Sequence, residues 1–285
     1  MRPRSLLSHT RHASHASATQ PTRSTRWAWV GVFVGLVLGL ITQAPAAWLA
    51  RAVAHASTER LLLKDPQGTV WQGSAQWVLS SGPIGSGTPA TSDTALPSRM
   101  RWQLGPRLDI NQGLVLQLTL ASDCCTPQPL HIQFGPLWRG VQVQVNDHQS
   151  HWPAQWLVGL GAPWNTIQPD GTLQLNTRHL AWRWQAGQER LSGAAELQLQ
   201  QFATRLSTLR PLGSYRVVLN GGDTIAVKLD TLEGRLQLVG NGEITQHHLR
   251  FRGEASAQPE FETALSNLLN ILGQRQGAKS ILELG

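Results

Sequence analysis

Leu114-Val115-Leu116-Gln117-Leu118-Thr119-Leu120 (LVLQLTL) decides the fold, because an apolar side chain recurs at every second position. Successive side chains of a strand point to opposite faces, so this period belongs to a strand with one face turned to a core. The same period recurs in Val141-Gln142-Val143-Gln144-Val145, Leu173-Gln174-Leu175 and Leu197-Gln198-Leu199-Gln200. It returns in Arg216-Val217-Val218-Leu219, Ile225-Ala226-Val227-Lys228-Leu229, Leu236-Gln237-Leu238 and His248-Leu249-Arg250-Phe251. Each such strand has an apolar face and a polar face rich in glutamine. Asn220-Gly221-Gly222-Asp223 and Gly240-Asn241-Gly242 read as hairpin turns, since Gly and Asn accept the positive φ that tight turns require. Short strands joined tightly predict a mainly β chain built on an elongated, curved, mostly antiparallel sheet.

Upstream, Leu61-Leu62-Leu63 leads into Asp65-Pro66-Gln67-Gly68, read as a turn, and then into a strand from Thr69 to Leu79. The stretch 80–98 is dominated by Gly, Ser, Thr and Pro and predicts a mobile loop. Two segments break the alternation. Pro153–Leu160 predicts a short helix ending in the loop Gly161–Thr166. Pro259–Leu272, with Phe261, Leu265, Leu268, Leu269 and Leu272 on one face and Gly273 as its stop, predicts a C-terminal amphipathic helix over 259–273.

Further out still, Trp27–Trp48 (WAWVGVFVGLVLGLITQAPAAW) contains no charged residue. About 20 helical residues cover a hydrocarbon core of ~30 Å, so the run predicts a transmembrane anchor over 27–49, with Trp27, Trp29 and Trp48 at headgroup level. A buried core helix would interleave polar positions. Residues 1–26 carry Arg2, Arg4, Arg11, Arg23 and Arg26 and no acid, which argues for a basic cytoplasmic tail and places the domain 50–285 across the membrane. An organellar transit peptide also fits that leader. A cleaved signal peptide fits too, with small-residue sites at Ala52-Val53-Ala54 or Ala54-His55-Ala56.

The net charge of +7 comes largely from this tail: without its five arginines, nineteen basic residues face seventeen acidic ones. No basic patch is interleaved with aromatics, which argues against a nucleic-acid partner. The two cysteines are adjacent, Cys124-Cys125, with Cα atoms ~3.8 Å apart and below the usual disulfide range, so they read as two small buried hydrophobes. Fold stability is therefore not expected to rest on disulfides.

No motif for catalysis, cofactor binding or metal binding emerges. His148 and His151 lie beside Asp147 in what reads as a polar loop. His247 and His248 point to opposite faces if extended. No Ser occupies a nucleophile elbow, and the glycine clusters lack the strand-to-helix context of a phosphate cradle. Twelve tryptophans stand beside one tyrosine. Trp71, Trp77, Trp102, Trp138, Trp182 and Trp184 fall at strand positions, where core packing explains them, with an apolar groove or partner surface as the alternative.

The order of several short segments resembles one family. After the apolar run come Ala44-Pro45-Ala46 and Gly68-Thr69-Val70-Trp71-Gln72-Gly73-Ser74-Ala75. Then follow Gly161-Ala162-Pro163-Trp164-Asn165-Thr166 with Pro169 and Gly171, and Pro211-Leu212-Gly213-Ser214-Tyr215. The series ends with Leu232-Glu233-Gly234, Phe251-Arg252-Gly253-Glu254-Ala255 with Pro259-Glu260, and Leu268–Gly273. From about residue 27 to the end this resembles type II secretion system protein N (general secretion pathway protein N). The resemblance implies a single-pass inner-membrane protein of Gram-negative bacteria with a periplasmic domain. Its role would be a non-enzymatic accessory one in the export of folded proteins across the outer membrane. Its implied partners are other secretion components, namely inner-membrane platform proteins and the secretin, with the membrane itself as a further contact. Kinship to AsmA-like proteins implies an alternative, a lipid-contacting groove, for which an exposed greasy concave face would speak. An envelope enzyme would instead need polar residues converging in one pocket. Within the resemblance, Gly68, Thr69, Trp71, Gly73, Pro163, Trp164, Gly213 and Tyr215 are the candidate structural keystones, with the Trp71 indole expected to fill the first layer of core.

Overall fold

The alternating segments pair into one sixteen-stranded antiparallel sheet, in a computed structural model that describes residues 24–82, 93–110, 112–245 and 248–285. The strands are β1 Leu61–Gly68, β2 Gln72–Leu79, β3 Thr94–Ala95, β4 Met100–Asp109, β5 Gly113–Ser122, β6 Leu130–Leu137, β7 Gly140–Val145 and β8 His148–Pro153. They continue with β9 Asp170–Gln185, β10 Gln188–Ala203, β11 Gly213–Gly222, β12 Ile225–Gly234, β13 Leu236–Thr245, β14 His248–Ala257, β15 Gln274–Gln276 and β16 Lys279–Leu284. Neighbours run β1-β2-β4-β5-β6-β7-β9-β10-β11-β12-β13-β14-β16-β15, with β3 beside β2 and β8 beside β9. Nearly every neighbour in the sheet is also a neighbour in sequence, as expected of a chain that reverses at short turns.

The chain divides into two units, one ending at Gln43 and the other running from Ala44 to Gly285. The first contains helix α1, Ser24–Thr42, whose apolar side chains from Trp27 on are exposed except for half-buried Val37. The second begins with α2, Ala46–Ala56. The expected single helix over 27–49 is therefore broken. Pro45 has no N–H to donate and disfavours helical backbone at Ala44, so it ends one helix and stands as N-cap of the next at φ −67° and ψ 145°. Trp48 belongs to α2. Among the described residues no helix is long and apolar enough to cross a membrane. The side chains of α1 are described from Trp27, and Trp27–Thr42 rises only ~24 Å.

Two buried clusters hold the second unit. In the first, Leu63, Ala75, Leu96, Met100, Trp102, Leu120 and Cys125 pack with Ala46 of α2, and Leu49, Ala50 and Val53 line the same helical face. In the second, Leu212, Tyr215, Leu236 and Ala255 pack beneath Leu265, Leu268 and Leu269 of α4, Glu262–Leu272. The spacing of those leucines puts all three on one stripe, and burying each contributes about 1.5–3 kcal/mol. A 3-10 turn at Pro259–Phe261 leads into α4, which brings acidic Glu260 and Glu262 to the start of the helix, as expected. The helix is not terminal, however. After Gly273 the chain returns as β15 and β16, and β16 pairs with β14.

Other expectations shift. Asp65-Pro66 lies inside β1 at a bulge between Lys64 and Gln67, and the turn falls later, at Thr69–Trp71. β1 is an edge strand, where a proline's missing donor is tolerated. Gly221 and Gly222 complete β11, leaving Asp223-Thr224 as the turn. Gly240-Asn241-Gly242 is not a turn but the middle of β13. A Cβ on Gly240 would meet the Phe251 ring of β14, so the absent side chains make room for an aromatic across the strands. The predicted helix at Pro153–Leu160 is a 3-10 segment, Ala154–Leu160, followed by α3, Trp164–Ile167. Of the 80–98 loop, residues 83–92 lie outside those described. Its end is fixed: β3 pairs with β2, Asp93 meets Lys64 at 3.1 Å, and Leu96 is fully buried.

Cys124 and Cys125 form a disulfide, contrary to expectation. They lie just beyond β5 in a turn where Thr126 Oγ1 accepts from Ser122 N and Cys124 N donates to Ser98 Oγ. The expectation rested on the short spacing of adjacent Cα atoms, and the pair is bonded at that spacing, with Cα atoms 3.7 Å apart, in a turn that brings the two side chains to one side.

Candidate functional site

The Gly68–Gly73 segment is built around a close approach. Gly68, at φ 87°, ends β1 in the left-handed region that a side chain resists. Thr69 N donates to Gln72 O, and Gln72 N donates back to Thr69 Oγ1, which closes the turn. Gly73 pairs with Trp102 of β4, and a Cβ at Gly73 would strike the Trp102 ring. The indole thus lies where a side chain is missing, with Nε1 donating to Thr69 O at 3.2 Å and Val70 O at 3.1 Å. Trp102 is 4 % exposed and belongs to the first cluster, whereas Trp71 is half-buried and stands outside it. The core indole is therefore Trp102, not Trp71. Its sequence signal was a glycine on one strand opposite a large ring on the next, visible only once the register is known.

Gly213 and Tyr215 lie together in the second cluster. Tyr215 stacks edge-on against Phe202 at 5.9 Å, and its hydroxyl donates to Leu236 O at 3.0 Å. Burial pushes the phenol well above the usual tyrosine range, so it stays a neutral donor. Pro163 and Trp164 stand at the start of α3, where the Pro163 carbonyl accepts from Ile167 N. The eight residues singled out in the sequence thus occupy three separate places rather than one site.

Chemistry-bearing residues do not converge either. Among the described residues no group of three or more His, Cys, Asp or Glu could hold a metal ion. His148 and His151 belong to β8 rather than to a loop, and His247 lies outside the described residues. The His131 ring nitrogen sits 3.0 Å from Thr119 Oγ1. The His148 ring is held below its ordinary pKa by burial and then by nearby His131. Both fit a satisfied or desolvated packing role.

What remains are faces and edges. Leu116, Phe134, Val143, Trp182 and Leu191 form one cross-strand row over five strands, each half-buried. Gln117 and Gln133 pair in the alternating row, where Gln112 Nε2 reaches Gln144 Oε1 at 3.1 Å. A recess of about 460 Å³ is lined by Thr172, Gln198, Gln200, Gln201, Ser214, Leu232 and Glu233, a mostly polar set rather than an acyl channel. At one end of the sheet order stands β1, and at the other the short β15 covers only part of β16. Unpaired backbone of this kind is suited to strand addition by another chain.

Comparison with protein families finds that the model described as type II secretion system (T2SS), protein N matches residues 59–281. No curated protein and no solved structure matches the chain.

Proposed function

We propose, from the premise that this chain belongs to the type II secretion system protein N family, that it is a non-enzymatic accessory component of the inner membrane. The family makes it a component of type II secretion. In our reading α1 anchors the chain and the sheet lies in the periplasm, where it meets platform proteins and the secretin. The observation that carries this reading is the span of the match, which takes in the sheet from β1 into β16. The apolar surface of α1 supports the anchor: Val30, Phe33, Leu36 and Leu40 are all more than half exposed, with Trp27 at 77 % and Trp29 at 70 % near one end.

Trp71, half-buried outside the core on an edge hairpin, is our candidate partner contact. A photo-crosslinking amino acid in place of Trp71, in the native host, should capture another type II secretion component. Crosslinks confined to unrelated envelope proteins, in cells that still contain the variant at normal level, would count against the assignment.

A further inference from the structure

Of the large apolar side chains described between Ala44 and Gly285, the four most exposed are Ile110 (101 %), Trp138 (86 %), Leu108 (80 %) and Leu114 (63 %). All four lie at the tips of two neighbouring hairpins. β4–β5 reverses beyond Asp109, β6–β7 reverses at Trp138-Arg139, and β5 pairs with β6. The next hairpin along, β9–β10, adds Trp184, which pairs with Val141. Trp138 and Trp184 are thus not the core residues the alternation suggested. Scattered apolar residues on a surface are ordinary, but the four largest exposures gathered on two adjacent tips are not. Farther along the same rim the β11–β12 tip is polar, with Asp223 held by Arg190 at 2.8 Å.

The same end of the sheet is where the domain begins. Val70 N donates to Ala44 O at 2.8 Å and Pro45 bridges Thr69, which fixes the first residues of the domain at the β1–β2 turn. Leu104 N donates to Trp71 O, so β4 passes that turn at Leu104 and runs on to Asp109. Five further residues of strand extend ~17 Å. The hairpin tips therefore project beyond the point at which the apolar run Trp27–Ile41 is joined, with only Thr42 and Gln43 between. Exposed Arg107 and Arg139 stand beside the tips. Indole and guanidinium groups among aliphatic side chains match the headgroup layer of an anionic membrane, where rings and long cationic stems reach both phases.

We propose that the tips of β4–β5 and β6–β7, centred on Leu108, Ile110, Leu114 and Trp138, insert into the interfacial layer of the membrane that holds α1. The occupant of this apolar rim is lipid. The proposal rests on the reading of α1 as an anchor and adds to it a second, independent membrane contact, made by the sheet itself.

The test uses the full chain in vesicles of phosphatidylethanolamine and phosphatidylglycerol. A fluorophore sensitive to water is placed on single cysteines in the variants Ile110→Cys, Trp138→Cys, Leu36→Cys and Thr208→Cys. Labelling without reductant spares the Cys124–Cys125 disulfide. Lipids carrying a nitroxide near the headgroup should quench labels at 110 and 138 strongly, with blue-shifted emission, and leave 208, at the other end of the sheet, unquenched; lipids carrying it deep in the acyl chain, used in parallel, should quench the label at 36. Quenching at 36 with 110 and 138 as exposed to water as 208 overturns the proposal while the anchor stands. No quenching at 36, 110 or 138 removes both. Quenching at 110 and 138 without 36 upholds the tips as a lipid contact and removes the anchor reading.

Discussion

Trp102→Ala is expected to destabilise the domain by ~3–5 kcal/mol, the range for removing a large aromatic from a packed core. The indole is 4 % exposed and packs among residues contributed by α2 and by β1, β2, β4 and β5. Truncation leaves a cavity and also removes the donor shared by the Thr69 and Val70 carbonyls, which hold the β1–β2 turn. That turn in turn fixes Ala44 and Pro45, so the loss spreads to the start of the domain. Denaturant unfolding of the purified chain checks this. Trp71→Ala, at a half-buried position outside the cluster, should cost clearly less. Equal losses at the two positions would contradict the assignment of Trp102 as the core indole.

Leu269→Ala is expected to cost ~2–5 kcal/mol, because the side chain is fully buried between α4 and the sheet. The site is also tied to the last strand: Ser280 Oγ of β16 donates to Leu269 O at 2.6 Å. Loosening α4 should therefore raise amide exchange in β15 and β16 before the middle strands respond, since edges carry the fewest supporting contacts. Wild-type exchange in β16 would show that α4 does not clamp the edge.

Period-two patterning made the sheet legible in the sequence. Leu114–Leu120 and Val141–Val145 are strands, as their alternation predicted, but the faces are less clean than it implied: Leu114 is exposed while Val115 is buried, and Gln142 is more buried than the valines beside it. Turns were less legible where glycine had a second use. Gly240 and Gly242 make room for Phe251, a cross-strand contact that local turn chemistry cannot distinguish from a reversal. The same limit hid Trp102, because its importance depends on pairing with Gly73. Pro45 was visible, but the apolar run around it masked its helix-breaking effect. The disulfide depended on a turn geometry at Cys124-Cys125 that spacing alone does not specify. The apolar rim escaped notice because Ile110 and Trp138 become neighbours only when their hairpins lie side by side.

The central claim, a part in type II secretion, is tested most directly by deleting this gene in its host and measuring how exoproteins partition between medium and periplasm. The account predicts accumulation of folded exoproteins in the periplasm, reversed by the plasmid-borne gene. Unchanged export in the deletion strain, with the rest of the secretion apparatus present, would contradict it.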